Sequence, residues 1–307
     1  MKTIFFGTSE FGAIVLRTII QAGVTPALVV TTPDKPAGRK LQLRPSEVKQ
    51  AALELHIPLL QPETLQGETL SELRAMAPDL FLVAAYGKIL PQELLDIPKQ
   101  GSLNVHPSLL PKYRGAAPVQ AALLNGDETT GVTIMLMDKD MDHGPILAQR
   151  EFPIRNTLFT YPELHNKLAE IGGALLAETI PLFAVGKIQA VPQDDSKATY
   201  TERLTKEAGN VDWSKPALYI ERQVRALQPW PGTYTQGKTL KILKARVLPG
   251  IHASSPGKTF TTSTQELGVQ TGTDALVIEL LQLEGKKPMP SRDFLLGNQN
   301  ILSTTFE

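Results

Sequence analysis

The 307-residue sequence contains no cysteine. Disulfide bonds, zinc sites with thiolate ligands and cysteine nucleophiles are therefore excluded, and a reducing compartment suits such a chain. The sequence also lacks any apolar run of about 18 residues, the length that a membrane-spanning helix needs. Residues 1–7 have the pattern of a buried strand and not of a signal peptide. We therefore expect a cytoplasmic protein without a membrane segment.

Excess charge of one sign is also lacking. The chain has 31 basic and 31 acidic residues, so its formal net charge is zero. Taken over the whole chain, this balance argues against nucleic-acid binding. Locally, however, residues 206–250 contain eight basic and three acidic residues. A second basic cluster lies within residues 35–49. Such patches are either solvated surface charge or sites that bind phosphate groups.

Two nucleotide-binding motifs are missing. The turn after the first predicted strand, residues 7–12, reads Gly-Thr-Ser-Glu-Phe-Gly and lacks the GxGxxG pattern of dinucleotide-binding proteins. Its glycine spacing matches a P-loop, but Ala13 and Ile14 stand where a P-loop has Lys and Ser or Thr. We therefore expect no nucleotide cofactor, and a tight strand-to-helix turn explains these glycines.

The apolar pattern divides the chain into two parts. In residues 1–186, short apolar runs alternate with amphipathic stretches, which predicts an α/β domain with a Rossmann-like, mostly parallel sheet. Residues 187–205 are polar and have the composition of a linker. In residues 206–307, one helical stretch precedes short strand-like runs separated by Gly and Pro. This pattern predicts a smaller β-barrel domain of the OB-like kind.

The segment 101–118 is the richest in residues suited to chemistry. Asn104 and His106 are two residues apart on a predicted strand, so their side chains lie on one face. Pro107 places them near the carboxyl end of that strand, which in open parallel sheets is the ligand-binding edge. An amide beside an imidazole suits acyl transfer, because the amide can stabilise an oxyanion and the imidazole can move a proton. Structural hydrogen bonding is the alternative interpretation.

A second segment, residues 131–147, places Asp142 in an acidic loop between two predicted strands. Its carboxylate either reaches the first pair of residues or fixes a turn. The adjacent His143 invites comparison with a metal ligand. It lacks a set of spaced histidine or carboxylate partners, however, so no metal site is expected.

Together the two segments resemble the folate-dependent formyltransferases, as do residues 6–8 and 84–91. In that family Asn-x-His and a downstream Asp-x-Gly form a catalytic trio, which implies Asn104, His106 and Asp142 here. The resemblance also implies 10-formyltetrahydrofolate as co-substrate, with neither a metal nor a nucleotide cofactor. The residues that it implies for folate contact are Tyr86, Gly87, Ile89, Leu90, Ser108, Leu109, Leu110 and Pro111.

Further segments are similar to the branch of this family that acts on methionyl-tRNA. They are residues 33–40, 211–213 and 225–232, with Gly-Lys-Lys at 285–287 near the end. This resemblance implies a charged initiator tRNA as partner, and we expect a monomer. The residues that it implies for tRNA contact, together with the basic strip, are Lys35, Arg39, Lys40, Arg44, Lys206, Arg225, Lys241 and Lys244.

Other interpretations remain open at this point. A formyltransferase acting on a small amine would share the trio but would not need a second domain with a basic strip. A non-catalytic RNA-binding protein would explain residues 206–307 but would leave the trio without a role. A nicotinamide oxidoreductase is suggested only by the α/β pattern and is disfavoured by the missing GxGxxG motif. Fold alone does not decide among them.

Overall fold

The structure, a computed structural model, describes residues 1–37, 42–155, 157–235, 239–250, 255–302 and 304–306. The chain forms two compact units. The first contains Met1–Pro118, Thr129–Pro153 and His165–Thr201, and the second contains Val119–Glu128, Ile154–Leu164 and Glu202–Glu307. Among the described residues, no helix has both the length and the apolar character needed to cross a membrane.

The elements up to Thr201 form an α/β arrangement. The strands are β1 (Thr3–Gly7), β2 (Leu28–Val30), β3 (Lys35–Ala37), β4 (Gln42–Arg44), β5 (Leu59–Leu60), β6 (Leu80–Ala84), β7 (Ser102–His106), β8 (Arg114–Gly115), β9 (Thr129–Leu136), β10 (Ile146–Pro153) and β11 (Tyr200–Thr201). The helices are α1 (Glu10–Gln21), α2 (Glu47–Glu54), α3 (Glu68–Ala75), α4 (Gln92–Leu95), α5 (Pro118–Asn125) and α6 (Tyr161–Ala184). A short 3₁₀ helix spans Asp195–Lys197.

Seven of these strands form one sheet, in the order β10-β9-β7-β6-β1-β2-β5. The pairs β1–β2, β1–β6, β6–β7 and β2–β5 are parallel, whereas β7–β9 and β9–β10 are antiparallel. The predicted Rossmann-like, mostly parallel sheet is therefore confirmed. Strand β1 lies between β2 and β6, so the strand order reverses there, and ligands of open α/β sheets bind at this kind of switch point.

Burial on both faces explains the sequences of the central strands. Every residue of β1 and of β6 is buried, and Ile4, Phe5 and Phe6 are fully inaccessible to solvent. Parallel strands covered by helices on both faces need such continuous apolar runs. This is why the runs at 3–7 and 80–84 identified these two strands from the sequence.

The second unit is a small antiparallel sheet. Its strands are β12 (Thr233–Thr235), β13 (Leu240–Leu248), β14 (Thr259–Thr261), β15 (Leu267–Gln270), β16 (Ala275–Leu283) and β17 (Met289–Pro290), with helices α7 (Ala217–Ala226) and α8 (Ser291–Gly297) and 3₁₀ helices at Glu207–Gly209 and Gln299–Ile301. The order is β12-β13-β16-β15-β14, with β17 also on β16. This sheet agrees with the predicted smaller β-barrel domain: a helix precedes it, as predicted, and its antiparallel strands are consistent with a barrel-like fold. Trp213 is buried in its core and donates its indole N–H to Thr235 Oγ1 at 3.1 Å.

The predicted linker differs from the observed division of the chain. Residues 188–201 belong to the first unit, where Tyr200 and Thr201 pair with Arg114 and Gly115, and Val191 forms a bridge with Ile146. A polar composition does not distinguish a free linker from a strap that main-chain hydrogen bonds hold in place. The boundaries proposed at 186 and 206 therefore remain a prediction, and the unit boundary falls at 201/202.

Two glycines let the β1–α1 turn approach β6 closely. A Cβ atom at Gly12 would lie 2.6 Å from the carbonyl oxygen of Ala84, and one at Gly7 would lie 3.0 Å from the same oxygen. The glycine spacing that resembles a P-loop thus serves the packing of strand and helix at the switch point.

We predict that Gly12→Ala lowers the free energy of unfolding by about 1–3 kcal/mol, since the added methyl group overpacks a backbone contact. Thermal unfolding followed by circular dichroism measures the effect. Gly297→Ala is the control, because a Cβ atom there meets no atom within 4 Å. Equal melting temperatures for Gly12→Ala and the wild type would contradict this explanation of the turn.

Candidate active site

Strand β7 carries the first two residues of the predicted trio. Val105 faces helix α6, because a Cβ atom at Gly172 of that helix would lie 2.5 Å from Val105 Cγ1. Asn104 and His106 therefore lie on the opposite face, as their spacing predicts. Their partners across the antiparallel pair with β9 are Met135 and Thr133. The two side chains thus share one face at the carboxyl end of β7.

Asn104 has an uncommitted amide. Its side chain is half-buried and makes no hydrogen bond to any residue that the structure describes. A polar group in this position usually has a partner, so an unpaired carboxamide at a ligand-binding edge is available to a bound molecule. Its NH₂ group offers two donors.

His106 is held on both sides of its ring. The side chain is buried, with 4% exposed, and Nε2 lies 3.0 Å from the main-chain oxygen of Tyr113. A carbonyl oxygen only accepts, so Nε2 carries the hydrogen in this contact. Nδ1 lies 3.5 Å from Oδ1 of Asp142. The edge of the ring that faces Asp142 is therefore the one at which a proton can be held or moved.

Asp142 reaches His106 only because its loop turns back over the sheet. Strand β9 ends beside the beginning of β7, where Met137 N donates to Ser102 O at 2.8 Å. His106 lies at the other end of β7, a distance of roughly 13 Å at 3.3 Å per residue. Asp142 has a left-handed backbone, with φ of 52°. Its Oδ2 accepts a hydrogen bond from the main-chain N–H of Gly115 at 2.8 Å.

Side chains from β9 and β10 shape the segment after β7. Thr133 Oγ1 donates to Ser108 O at 2.7 Å and accepts from Leu110 N at 3.1 Å. Gln149 Nε2 donates to Leu110 O at 2.8 Å. Ser108 Oγ donates to Lys112 O at 2.6 Å. These bonds position the Tyr113 carbonyl and hence the ring of His106.

The predicted folate-contacting residues divide into buried and exposed ones. Ser108 and Leu110 are buried, and the hydroxyl of Ser108 is used within its own loop. Tyr86 and Leu90 are buried in an apolar cluster below the β6 edge. Ile89, in contrast, is 81% exposed. Gly87 is exposed, and Leu109 and Pro111 are half-buried. Direct side-chain contact with a ligand is thus open to the exposed members, whereas the buried ones support the walls.

The residues predicted for tRNA contact also differ in their surroundings. Lys35, Arg44, Lys206 and Lys241 are exposed. Lys244 lies 3.1 Å from Glu279, and Arg225 bonds Glu221 through Nε and Nη2 and the carbonyl of Phe159 through Nη1. The guanidinium of Arg225 therefore joins helix α7 to the segment at 159 within the second unit. Arg39 and Lys40 lie outside the described residues.

The sequence did not single out two residues that hold the loop of Asp142. Arg114 is almost fully buried, and its Nε and Nη2 donate to Oε1 of Gln193 at 3.0 and 2.8 Å. Gln193 Nε2 donates to the carbonyl oxygens of Asp142 and Gly144 at 2.9 and 2.8 Å. Arg114 lies in the segment 101–118, which contains candidate catalytic residues. Gln193 lies in the predicted linker, where no sequence motif indicated a role for it.

His143 belongs to a polar cluster, partly exposed, next to Asp142 in the chain. Its Nδ1 lies 2.7 Å from Oδ2 of Asp138, and Asp140 is close enough for the three side chains to surround a cation. Asp138 is already used, however, because its other oxygen accepts from the main-chain N–H of Asp140 at 2.9 Å. The hydrogen bond to Asp138 raises the pKa of His143 above its ordinary value. The cluster therefore works as a hydrogen-bonded turn.

Family models and known proteins match nearly the whole chain. The family model described as formyl transferase matches residues 1–180, and that described as formyl transferase, C-terminal domain, matches residues 203–299. The methionyl-tRNA formyltransferase of Halalkalibacterium halodurans is 45% identical over 307 residues, which cover 99% of this chain and 96% of the relative. That of Chloroflexus aggregans is 46% identical and covers 97% of both chains.

The chain belongs to the methionyl-tRNA formyltransferase family. It is accordingly a formyl-transferring enzyme, which confirms the enzyme class expected from the trio. Solved structures with the same fold are more distant in sequence. The N-formyltransferase of Helicobacter canadensis, in complex with folinic acid and dTDP-3-aminofucose, has a TM-score of 0.66 at 20% identity, covering 91% of this chain and 98% of that one. HypX from Aquifex aeolicus, in complex with tetrahydrofolic acid, has a TM-score of 0.62 at 18% identity; 96% of this chain matches 47% of that one.

The raised pKa of His143 gives a titration that can be measured in this family member. We expect its ring, followed by NMR, to titrate above about 6.5, the ordinary value for histidine. Asp138→Asn should lower that pKa, because the hydrogen bond to a charged carboxylate is its largest cause. The charged ring then stabilises the turn at low pH, and this contribution is lost as pH rises through the raised pKa.

The control for this titration is Asp140→Asn, which removes a neighbouring charge but not the bonded carboxylate. A shift as large as that of Asp138→Asn would show that general acidity of the loop, and not the hydrogen bond, sets the pKa.

Proposed function

We propose that the enzyme transfers the formyl group of 10-formyltetrahydrofolate to the α-amino group of methionine on initiator tRNA, for translation initiation. The observation that carries the proposal is the convergence of Asn104, His106 and Asp142 at the switch-point edge of the sheet, in a chain that matches methionyl-tRNA formyltransferases over nearly its whole length. We place this activity in the cytoplasm, on a monomer.

The residues beside the trio fit a folate. Ala85 and Gly87 have left-handed backbones and are exposed after β6, and Ile89 presents an exposed apolar side chain on the same loop. Such a loop leaves backbone groups and an apolar surface for a flat heteroaromatic ring. The hydroxyl of Tyr86 is buried without a partner among the described residues, so a polar group at its tip would be stabilising. When bound, the folate supplies an activated formyl carbon.

Asn104 is proposed to stabilise the charge that develops on the formyl oxygen. Its carboxamide is free, half-buried and fixed on a strand, so it need not reorganise during the reaction. The half-buried setting strengthens the interaction, because fewer water molecules than in bulk solvent compete with the amide for the oxygen.

His106 and Asp142 are proposed to take up the proton that the attacking amine loses and to return one to the folate nitrogen as its bond to the formyl carbon breaks and tetrahydrofolate leaves. An α-amine has a pKa of roughly 7.7–8.0 and a lower one once its carboxylate is esterified, so part of it is neutral near pH 7. The Asp142 carboxylate retains Oδ1 for this proton, because Oδ2 accepts from Gly115. His106 Nδ1 faces the same oxygen and can hold the proton there, whereas Nε2 is committed to Tyr113.

Basic residues of both units are proposed to bind the tRNA backbone. Lys35 and Arg44 are paired across the β3–β4 hairpin in the first unit, and Lys206 and Lys241 are exposed in the second. Within the described part of the chain, Lys206 and Lys241 form no ion pair with an acidic residue. Each is therefore able to replace a counterion on a phosphate. Arg39 and Lys40 complete the proposed set.

The direct test is transfer of labelled formyl from 10-formyltetrahydrofolate to methionyl initiator tRNA. Uncharged tRNA and glycinamide ribonucleotide are parallel acceptors. Labelling confined to the charged tRNA supports the proposal. Labelling of the small amine alone would reject the RNA substrate while retaining formyl transfer.

Removal of the Asn104 amide should reduce kcat strongly. We expect Asn104→Ala to lower kcat about 100- to 1,000-fold with both substrates saturating, the usual effect of losing one oxyanion donor. Asn104→Asp keeps the side-chain shape but has no donor, and it should lose at least as much activity. Unchanged melting temperatures confirm that both variants are folded. Near-wild-type turnover of Asn104→Ala would reject the assigned role.

Replacement of one free basic residue should change the salt dependence of tRNA binding. For Lys241→Ala we expect the slope of log affinity against log salt concentration to fall by about one, together with weaker binding at low salt. Filter binding between low and moderate salt measures this slope. Lys187→Ala removes an exposed lysine outside the proposed set and should leave it unchanged. Identical slopes for Lys241→Ala and wild type would remove Lys241 from the RNA-binding surface.

A further inference from the structure

Residues 188–201 form a strap that fastens both loops of the candidate site. The Thr199 hydroxyl accepts from Tyr113 N at 2.8 Å, and the Thr201 hydroxyl accepts from Ala117 N at 3.1 Å. Val191 exchanges main-chain hydrogen bonds with Ile146, after the loop of Asp142. The strap thus touches the segment after β7 and the segment after β9, and nearly all of its own residues are exposed or half-buried.

Beside Asp195, whose Oδ2 lies 3.6 Å from His143 Nε2, Gln193 is a strap residue that contacts the loop of Asp142 with its side chain. Its Nε2 donates to the main-chain oxygens of Asp142 and Gly144 at 2.9 and 2.8 Å. Both carbonyls can only accept and Arg114 can only donate, so the chemistry of the partners fixes the orientation of the Gln193 amide. The amide forms four hydrogen bonds, two from Arg114 and one each to Asp142 and Gly144, at 2.8–3.0 Å.

Arg114 anchors Gln193 from within the protein. Its guanidinium is almost fully buried and also donates to Asp195 Oδ1 at 2.7 Å and to the hydroxyl of Tyr200 at 3.3 Å. All of these acceptors lie on the strap. Arg114 itself stands between Tyr113, whose carbonyl bonds His106, and Gly115, whose N–H bonds the Asp142 carboxylate. One buried cation therefore ties the strap to the backbone that contacts both titratable residues of the trio.

The backbone of Asp142 needs such support. Its φ of 52° is in the left-handed region, which residues other than glycine adopt infrequently. The two contacts that hold it come from opposite ends: Gly115 N–H bonds the carboxylate, and Gln193 bonds the carbonyl. Without the Gln193 bonds the peptide after Asp142 is free to rotate, and the carboxylate would then move away from Gly115 and His106.

We propose that Gln193, held by Arg114, is a positioning residue that sets the Asp142 carboxylate against His106. It acts through Asp142 and touches neither substrate. Its contribution to turnover rests on the proposed formyl transfer to methionyl-tRNA, whereas its effect on the geometry of Asp142 does not.

The first arm of the test is a double-mutant cycle. Gln193→Met keeps the side-chain length but removes every hydrogen bond, and we expect kcat to fall about 10- to 100-fold, with the KM of both substrates within about twofold of wild type. In an Asp142→Asn background the same substitution should change kcat by less than about twofold, because no carboxylate remains to be positioned. Asp194→Asn is the matched control on the strap, since the bonds of its side chain to the described residues go to Ser196 and Lys197 alone. It should behave as wild type.

The second arm reads the geometry without any substrate. The main-chain N–H of Gly115 donates to Asp142 Oδ2, so its hydrogen exchange, followed by NMR, reports on the placement of that carboxylate. We expect exchange at Gly115 to become about tenfold faster or more in Gln193→Met, with no change in Asp194→Asn. Equal melting temperatures of the variants exclude general unfolding as the cause.

The outcomes are distinct. The positioning role would be overturned if Gln193→Met lowered kcat by the same factor in the Asp142→Asn background as in the wild type. A rise in KM without a fall in kcat, or unaltered hydrogen exchange at Gly115, would also overturn it. If the wild type fails to formylate methionyl-tRNA, the proposed function is rejected. The exchange rate of Gly115 then still decides whether Gln193 places Asp142.

Discussion

The hydrogen bond from the Gly115 main chain to the Asp142 carboxylate joins the two loops on which the candidate site depends. One loop follows β7 and carries the Tyr113 carbonyl that holds His106. The other follows β9 and has to return over the sheet before Asp142 can face that ring. A charged acceptor with a backbone donor makes a strong, directional bond. Without it, Asn104 and His106 would still share a face, but no carboxylate would be fixed beside them.

Close packing of helices against the central strands at the switch point supports this arrangement. Gly7 and Gly12 let helix α1 approach the end of β6, and Gly172 lets α6 cover the Val105 face of β7. Asn104 and His106 lie on the opposite side of β7 from helix α6. A Cβ atom at any of these glycines would collide with a neighbouring strand or helix. The same small residues therefore allow the close apolar packing of this unit and the arrangement of side chains at the edge of its sheet.

In the second unit, some basic side chains form ion pairs with acidic residues, and others remain unpaired among the described residues. Arg225 is tied to Glu221, Arg246 to Glu266 and Glu279, and Lys244 to Glu279. A basic excess counted along residues 206–250 therefore overstates the charge that faces solvent, because acidic residues further along the chain neutralise part of it. Lys206 and Lys241 keep exposed ammonium groups. Exposed ion pairs contribute little to the stability of the fold. Their main effect here is to determine which basic side chains remain able to bind a phosphate group.

The sequence alone determined the elements whose physics is local. Continuous apolar runs identified β1 and β6, the strands buried on both faces, and the i, i+2 spacing put Asn104 and His106 on one face of β7. The resemblance of the short motifs identified the family. Tertiary structure alone decided that Asp142 reaches His106, because the loop after β9 turns back towards the carboxyl end of β7. It also decided that a polar stretch with a linker's composition straps the site through Gln193, and that Arg114 is buried beneath it. Such pairings join residues up to about 80 positions apart, as Arg114 and Gln193 are, and no pattern within a short window of sequence encodes them.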